Sequence, residues 1–86
     1  MEQFKIEITD TFNGDANYCW VRRYTIRAKS LKSALTKAKM HFYGVCPRHK
    51  ASDYGDSLRA DIVGDCVVFF IDYTDSYDDV TQYEAI

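Results

Sequence analysis

The chain has 86 residues, with 11 Lys and Arg against 13 Asp and Glu, so its net charge is close to zero. A chain of this length forms one domain and buries about 60% of its unfolded surface, and a hydrophobic content of 47% excludes a disordered polar chain. Because no apolar run approaches the ~20 residues that span a bilayer and the N-terminus lacks a signal-peptide core, we expect one cytoplasmic domain over residues 1–86, not bound to a membrane.

The charges are divided along the chain. Residues 1–50 hold ten Lys and Arg against four Asp and Glu, whereas residues 51–86 hold one against nine. Such asymmetry is typical of a charged partner surface, although the two halves neutralise each other if the fold brings them together. Cys19, Cys46 and Cys66 are odd in number and irregularly spaced, which predicts free thiols rather than a disulfide framework.

The first hairpin is predicted from period-two alternation. Phe4, Ile6 and Ile8 alternate with polar residues, Asn13-Gly14 is a strong turn signal, and residues 18–28 form the second strand. A two-residue turn would put the apolar residues of the two strands on opposite faces. We therefore predict a loop of three or five residues within residues 13–17, or a bulge.

The segment 30–43 is predicted to be an amphipathic helix. Ser30 is a good N-cap residue and Gly44 is placed to end the helix. The residues expected to face the core follow helical spacing: Leu31, Ala34, Leu35, Ala38 and Phe42. Lys32, Lys37 and Lys39 are expected on or near the outer face, and residues 44–57 are expected to be irregular.

The second hairpin is predicted over residues 58–73, with its turn at Gly64-Asp65. This turn pairs Ile62 with Val67 and Leu58 with Ile71, all on one face. From residue 75 the chain is acidic, and we expect a frayed or short-helical tail. The predicted fold is α+β with the order ββαββ, a four-stranded antiparallel sheet with one helix on one face.

One face of this sheet has no helix to cover it. Apolar and basic side chains share it, which indicates a partner-binding surface or the interface of a homodimer. The residues predicted for this surface are Val21, Arg23, Arg27, Arg59, Val68 and Phe70.

No catalytic motif is present. Cys46 and His49 have ligand-like spacing and His41 is near in sequence, but zinc usually needs four ligands, and a Cys46–His49 dyad lacks an orienting third group. A helix-end histidine and an ordinary loop are the simpler explanation of these residues. We therefore predict no catalytic residues, no metal and no cofactor.

Two sets of charged residues indicate a relation to nucleic acid: one would bind it and the other would imitate it. A basic zone near Trp20 and Tyr24 would contact phosphates, and it consists of Arg22, Arg23, Arg27, Lys29, Lys32, Lys37 and Lys39. An acidic set would instead imitate phosphates for a nucleic-acid-binding protein, and it consists of Asp65, Asp72, Asp75, Asp78, Asp79 and Glu84. An ordinary solubilising tail is the alternative for the acidic set.

Two stretches carry a resemblance: residues 10–24, with Asn13-Gly14 and the run from Asn17 to Tyr24, and residues 28–34 at the start of the helix. They resemble small phage and prophage proteins, and the step from strand to helix is similar to that of some anti-CRISPR inhibitors. The resemblance implies a non-enzymatic protein in the cytoplasm of an infected bacterium that blocks a host defence complex, such as a CRISPR effector, by protein contact. The alternative is a nucleic-acid-binding module that uses the basic zone.

Overall fold

The structure of the chain, a computed structural model, describes residues 1–74 and 83–86. It contains one helix, α1 (Leu31–Tyr43), and the strands β1 (Glu2–Phe12), β2 (Asp15–Ala28), β3 (His49–Asp53), β4 (Ser57–Ile62), β5 (Val67–Tyr73) and β6 (Glu84–Ala85). The strand order is β3-β4-β5-β1-β2-β6, and β6 runs parallel to β2. The α+β class with one helix is confirmed, but the four-stranded antiparallel sheet is wrong, since six strands form a mixed sheet.

The first hairpin closes through a two-residue turn followed by a bulge. Asn13 and Gly14 both have positive φ, 53° and 83°, as a type I′ turn requires, and Phe12 pairs with Asp15 across them. The predicted loop of three or five residues is therefore wrong. The predicted alternative to such a loop, a bulge, is present between Thr9 and Thr11.

Asp10 holds this bulge together. One of its carboxylate oxygens accepts from the Cys19 backbone N–H at 2.8 Å, and the other accepts from the Asn17 side-chain amide at 2.9 Å. Beyond the bulge, Ile6 pairs with Tyr24. The bulge therefore puts the apolar residues of β1 and β2 on one face, as the alternation of apolar residues in the two strands predicts.

The helix has the predicted ends. The Ser30 side chain accepts from the Ser33 backbone N–H at 3.2 Å, and Gly44, with φ 76°, donates its backbone N–H to the Met40 carbonyl. Ala34, Leu35 and Ala38 are buried against the sheet as predicted. The core between helix and sheet also contains Phe4, Ile6, Ile8, Tyr24, Ile26, Ala28, Leu58, Ala60, Ile62, Val67, Phe69 and Ile71.

Lys39 departs from the prediction, because it is buried rather than on the outer face. It follows Leu35 by one helical turn and therefore lies on the sheet side of α1. Its Nζ donates to the Pro47 carbonyl at 2.8 Å and lies 3.0 Å from His49 Nδ1. These two partners satisfy the buried ammonium group, and burial together with Lys39 lowers the pKa of His49.

The second hairpin has the predicted register, with Leu58 opposite Ile71 and Ala60 opposite Phe69. Two strands were missed. β3 lies where an irregular loop was expected, and β6 lies where a frayed or helical tail was expected; the rest of that tail, residues 75–82, lies outside the described residues. Among the described residues, no helix is long and apolar enough to cross a membrane.

Candidate partner-binding surface

The candidate surface is the sheet face opposite α1. Because side chains alternate along a strand, the residues between the core positions of β1, β2, β4 and β5 point to this face. It includes every residue predicted for the partner-binding surface, namely Val21, Arg23, Arg27, Arg59, Val68 and Phe70. Their accessibility, however, differs between the two ends of the face.

One end of this face is covered by the turn between β1 and β2. Arg59 of β4 donates to the Gly14 carbonyl at 2.7 Å and makes two hydrogen bonds of 3.0 Å to Asp61. Its guanidinium also lies 5.7 Å from the Phe70 ring centroid. Hydrogen bonding to Asp61 raises the pKa of Arg59, so the guanidinium remains charged in this position.

The position of this turn changes the prediction for Val68. Since β5 lies between β1 and β4, the contact between Gly14 and Arg59 carries the turn across β5. Val68 of β5 is completely buried, and its β1 neighbour Thr9, whose hydroxyl donates to the Trp20 carbonyl at 2.7 Å, is buried as well. Val68 is therefore a packing residue, and its predicted place on an exposed surface is wrong.

The other end of this face is accessible. A depression of about 280 Å³ is lined by three aromatic residues and three charged residues: Tyr18, Phe70, Tyr83, Lys5, Glu7 and Asp72. We call these six residues the open surface. Tyr18 is 52% exposed, and Phe70 is partly buried. Aromatic groups within reach of both signs of charge are suited to contact with another protein.

Glu7 connects the charged and aromatic parts of the open surface. Its carboxylate accepts from Arg23 Nε at 3.1 Å, across the β1–β2 pair, and it also accepts from the Tyr18 hydroxyl. The hydrogen bond to this carboxylate raises the pKa of Tyr18. Tyr18 itself has a φ of 54° within the bulge, so the irregular backbone directs its ring towards Glu7.

The acidic set does not form one surface in the described part of the chain. Asp72 belongs to the open surface, Asp65 lies at the far end of β5, and Glu84 lies on β6. At ~3.3 Å per residue, Asp65 and Asp72 are about 20 Å apart. Asp65 also accepts from the Tyr43 hydroxyl at 3.0 Å, and burial together with this hydrogen bond raises the pKa of Tyr43. The remaining members, Asp75, Asp78 and Asp79, lie outside the described residues.

The basic zone is divided between the two sides of the sheet. Arg23 and Arg27 alternate with the core residues of β2 and point away from α1, whereas Lys32 and Lys37 lie on α1 itself. Lys37 Nζ donates to the Arg27 carbonyl at 2.9 Å, and Lys39 is buried. These basic side chains therefore do not lie on one face of the sheet.

The histidines and cysteines have separate neighbours. The His41 ring packs edge-on against Tyr24 at 4.9 Å, His49 contacts Lys39, and the Cys46 thiol points to the Thr36 carbonyl at 3.9 Å. Within residues 1–74 and 83–86, no three His, Cys, Asp or Glu side chains form a group that could hold a metal ion. Cys19, Cys46 and Cys66 are exposed free thiols.

Four residues of the open surface were missed in the analysis of the sequence. Lys5 and Glu7 had a usable signal, because they alternate with the core residues of β1. Tyr18 had none, since its direction depends on the bulge, and Tyr83 is placed by β6, a strand of two residues. Comparison of the chain with family models, curated proteins and solved structures found no match.

Proposed function

We propose that the chain is a small binding protein without catalytic activity that inhibits a host nucleic-acid-handling complex by protein–protein contact, as anti-CRISPR inhibitors of CRISPR effectors do. The observation that carries the proposal is the open surface, where Tyr18, Phe70 and Tyr83 surround a depression beside Lys5 and Asp72. The resemblance of residues 10–24 and 28–34 to phage inhibitors supports the choice of target.

The chemistry of the open surface favours a protein as the partner. Tyrosine and phenylalanine provide large contact areas at a low cost in side-chain entropy, and they are enriched in protein interfaces. The charges around them have both signs, with Lys5 and Arg23 near Glu7 and Asp72. A nucleic acid would instead require a surface of predominantly positive charge.

The imitation of nucleic acid by the acidic set remains part of this proposal. Asp72 would contribute a carboxylate at the rim of the open surface, next to Phe70. The two proteins of such a complex would associate faster at low salt, because salt screens the attraction between separated charges.

The test is capture of purified CRISPR effector complexes by the immobilised chain at low and high salt, with Phe70→Lys as the variant. The control is Met40→Lys, which makes the same change from an apolar residue at a position on α1 that is 48% exposed. We expect capture by the wild type, at least a tenfold loss with Phe70→Lys, and no loss with Met40→Lys. Failure to capture any effector would overturn the proposed target.

The nucleic-acid-binding alternative is tested in the same preparation by a gel shift with single-stranded and double-stranded DNA and RNA. Under our proposal the free chain shifts none of them at physiological salt. A shift that is lost with Arg23→Glu, a residue on the same face as Phe70, would favour the alternative and contradict the proposed function.

A further inference from the structure

The outer strand β3 has one edge that no other described strand pairs with. It is the first strand in the sheet order, so in the described part of the chain it has one neighbour, β4. Four of its five residues are exposed, and His49 is partly buried. An exposed strand edge presents backbone N–H and C=O groups that can pair with another strand.

The pairing with β4 shows which backbone groups are free. The Val63 backbone N–H donates to the Arg48 carbonyl and the Tyr54 backbone N–H donates to the Ser57 carbonyl, both at 2.9 Å. Because hydrogen-bonded pairs occur at every second residue of an antiparallel ladder, Lys50 and Ser52 also direct their backbone groups towards β4. The backbone groups of His49, Ala51 and Asp53 therefore point away from the sheet.

We propose that β3 pairs antiparallel with β3 of a second copy of this chain, centred on Ala51, so that the two sheets become one. In this register Ala51 lies opposite its own copy and His49 lies opposite Asp53 of the other copy. All three residues have outward-pointing backbone groups, so the Ala51 pair and both His49–Asp53 pairs can exchange N–H···O=C bonds. The outward backbone groups of β3 in one copy are thus matched by those of β3 in the other copy.

The side chains match in the same register. His49, with a ring N–H and a titratable ring, lies opposite the Asp53 carboxylate at both ends of the paired segment, and Lys50 lies opposite Ser52. No like charges lie directly opposite each other, a contact that would destabilise the pair. The side chains of the edge are therefore compatible with the backbone pairing, although the Asp53 carboxylate also accepts from the Gly55 backbone N–H at 2.8 Å.

A groove lies beside β3, next to the proposed contact. A space of about 570 Å³ lies between α1 and β3, and Leu35, Ala51 and Leu58 form its apolar lining. Ala51 lies at the centre of the paired segment, so the grooves of the two copies meet at the two-fold axis. Leu35 and Leu58 are already buried in the single chain, so the apolar area that the pairing removes from water is mainly that of Ala51.

The arrangement also fixes the relative position of the two copies. The two-fold axis of an antiparallel strand pair with this register is perpendicular to the sheet, so both helices lie on one side and both open surfaces on the other. The dimer would therefore present two copies of the open surface in the same direction. The pairing itself does not depend on the proposed function of that surface.

The test is sedimentation equilibrium over a range of concentrations with Ala51→Pro. Proline removes the outward N–H of residue 51, which does not donate to β4, so the β3–β4 ladder of the monomer is preserved. The central pair of the dimer then loses both of its hydrogen bonds. We expect the dimer dissociation constant to rise at least tenfold, and Ala51→Thr, which keeps the N–H, to remain dimeric.

A second variant pair covers the case in which Ala51→Pro does not fold. Asp53→Lys removes the carboxylate opposite His49 and should weaken the dimer, and adding His49→Asp should restore it because a carboxylate then lies opposite the new lysine. A wild-type chain that stays monomeric at millimolar concentration overturns the proposal. So does a monomer whose β3 edge binds extended peptides of other proteins.

The proposal is separable from the proposed function. Phe70→Lys should abolish capture of the effector and leave the dimer unchanged, whereas Ala51→Pro should dissociate the dimer and leave the open surface intact. A dimer that is abolished by Phe70→Lys and unaffected by Ala51→Pro uses the open sheet face instead, and this result would overturn the pairing through β3.

Discussion

The two faces of the sheet are closed in different ways. On the helix side, Phe69 is completely buried and lies against the rings of Phe42 and Tyr43, at centroid distances of 5.9 and 6.2 Å. On the other side, the end near Val68 is closed by a turn that Arg59 holds, and the end near Tyr18 is accessible. One face is thus closed by an apolar layer, whereas the other is closed at one end only, by a few polar contacts.

This difference separates the residues that fold the chain from those available for binding. An apolar layer contributes free energy in proportion to the area it removes from water, about 25 cal/mol per Å². A polar contact at the surface contributes much less, because water competes for the same groups. The second face can therefore expose Phe70 without loss of the core, which explains why we place binding there.

The largest expected effect comes from comparing Phe69→Ala with Phe70→Ala, which are neighbours in β5 on opposite faces. Phe69→Ala leaves a cavity under α1 and should lower the free energy of unfolding by about 3–5 kcal/mol. Phe70→Ala removes a partly buried ring and a contact with Arg59, and should cost about 1 kcal/mol. Urea denaturation measures both values. Equal costs would show that the second face is as tightly closed as the first.

The next expected effect is that of Arg59→Ala, compared with Arg23→Ala. Both arginines form an ion pair with a carboxylate, but Arg59 also donates a hydrogen bond to the Gly14 carbonyl. Arg59 is also less exposed, with 27% of its side chain accessible against 43% for Arg23. Arg59→Ala should lower the free energy of unfolding by about 1–2 kcal/mol and Arg23→Ala by at most about 0.5 kcal/mol.

Hydrogen exchange gives a second measurement of the same contact. If Arg59 holds the turn over β5, the Val68 region should exchange faster in Arg59→Ala than in the wild type, while protection under α1 stays the same. Unchanged exchange near Val68 would mean that the turn is held by the bulge alone, and the comparison with Arg23→Ala would then lose its basis.

Periodicity was sufficient to predict the helix-covered face. The alternation of β1, the Ser30 and Gly44 caps and the register of the second hairpin are local patterns, and the structure has each of them. The pattern also assigned Arg23, Arg59 and Phe70 to the other face correctly. Local patterns are informative here because a buried face constrains every second residue of a strand.

The remaining features depend on contacts between residues far apart in sequence. Arg59 and Gly14, which decide whether Val68 is exposed, are 45 positions apart. β3 has no apolar alternation, because it contributes backbone pairing at an edge rather than side chains to the core. Lys39 has a charged head group that indicates the surface, and its burial is explained by Pro47 and His49. Alternation and capping do not encode such pairings.

The smallest expected effect concerns Asp10, whose carboxylate holds the bulge that positions Tyr18. Hydrogen bonds from the Asn17 side chain and the Cys19 backbone N–H lower the pKa of Asp10 in the folded chain. The folded chain therefore favours the ionised form. Its contribution to stability is present above the unfolded pKa, about 3.9, and is lost as the pH falls through the folded pKa.

Asp10→Asn removes this contribution at neutral pH, since an amide cannot accept from both donors as a carboxylate does. We expect the difference in free energy of unfolding between wild type and Asp10→Asn to be largest near pH 7 and to shrink below about pH 4. Asp56→Asn, at an exposed residue between β3 and β4, makes the same change of charge away from the bulge and is the control. If the difference in free energy of unfolding were independent of pH, the Asp10 carboxylate would not hold the bulge. The backbone of residues 17–20 would then fix the bulge, and Tyr18 would keep its position in the open surface without Asp10.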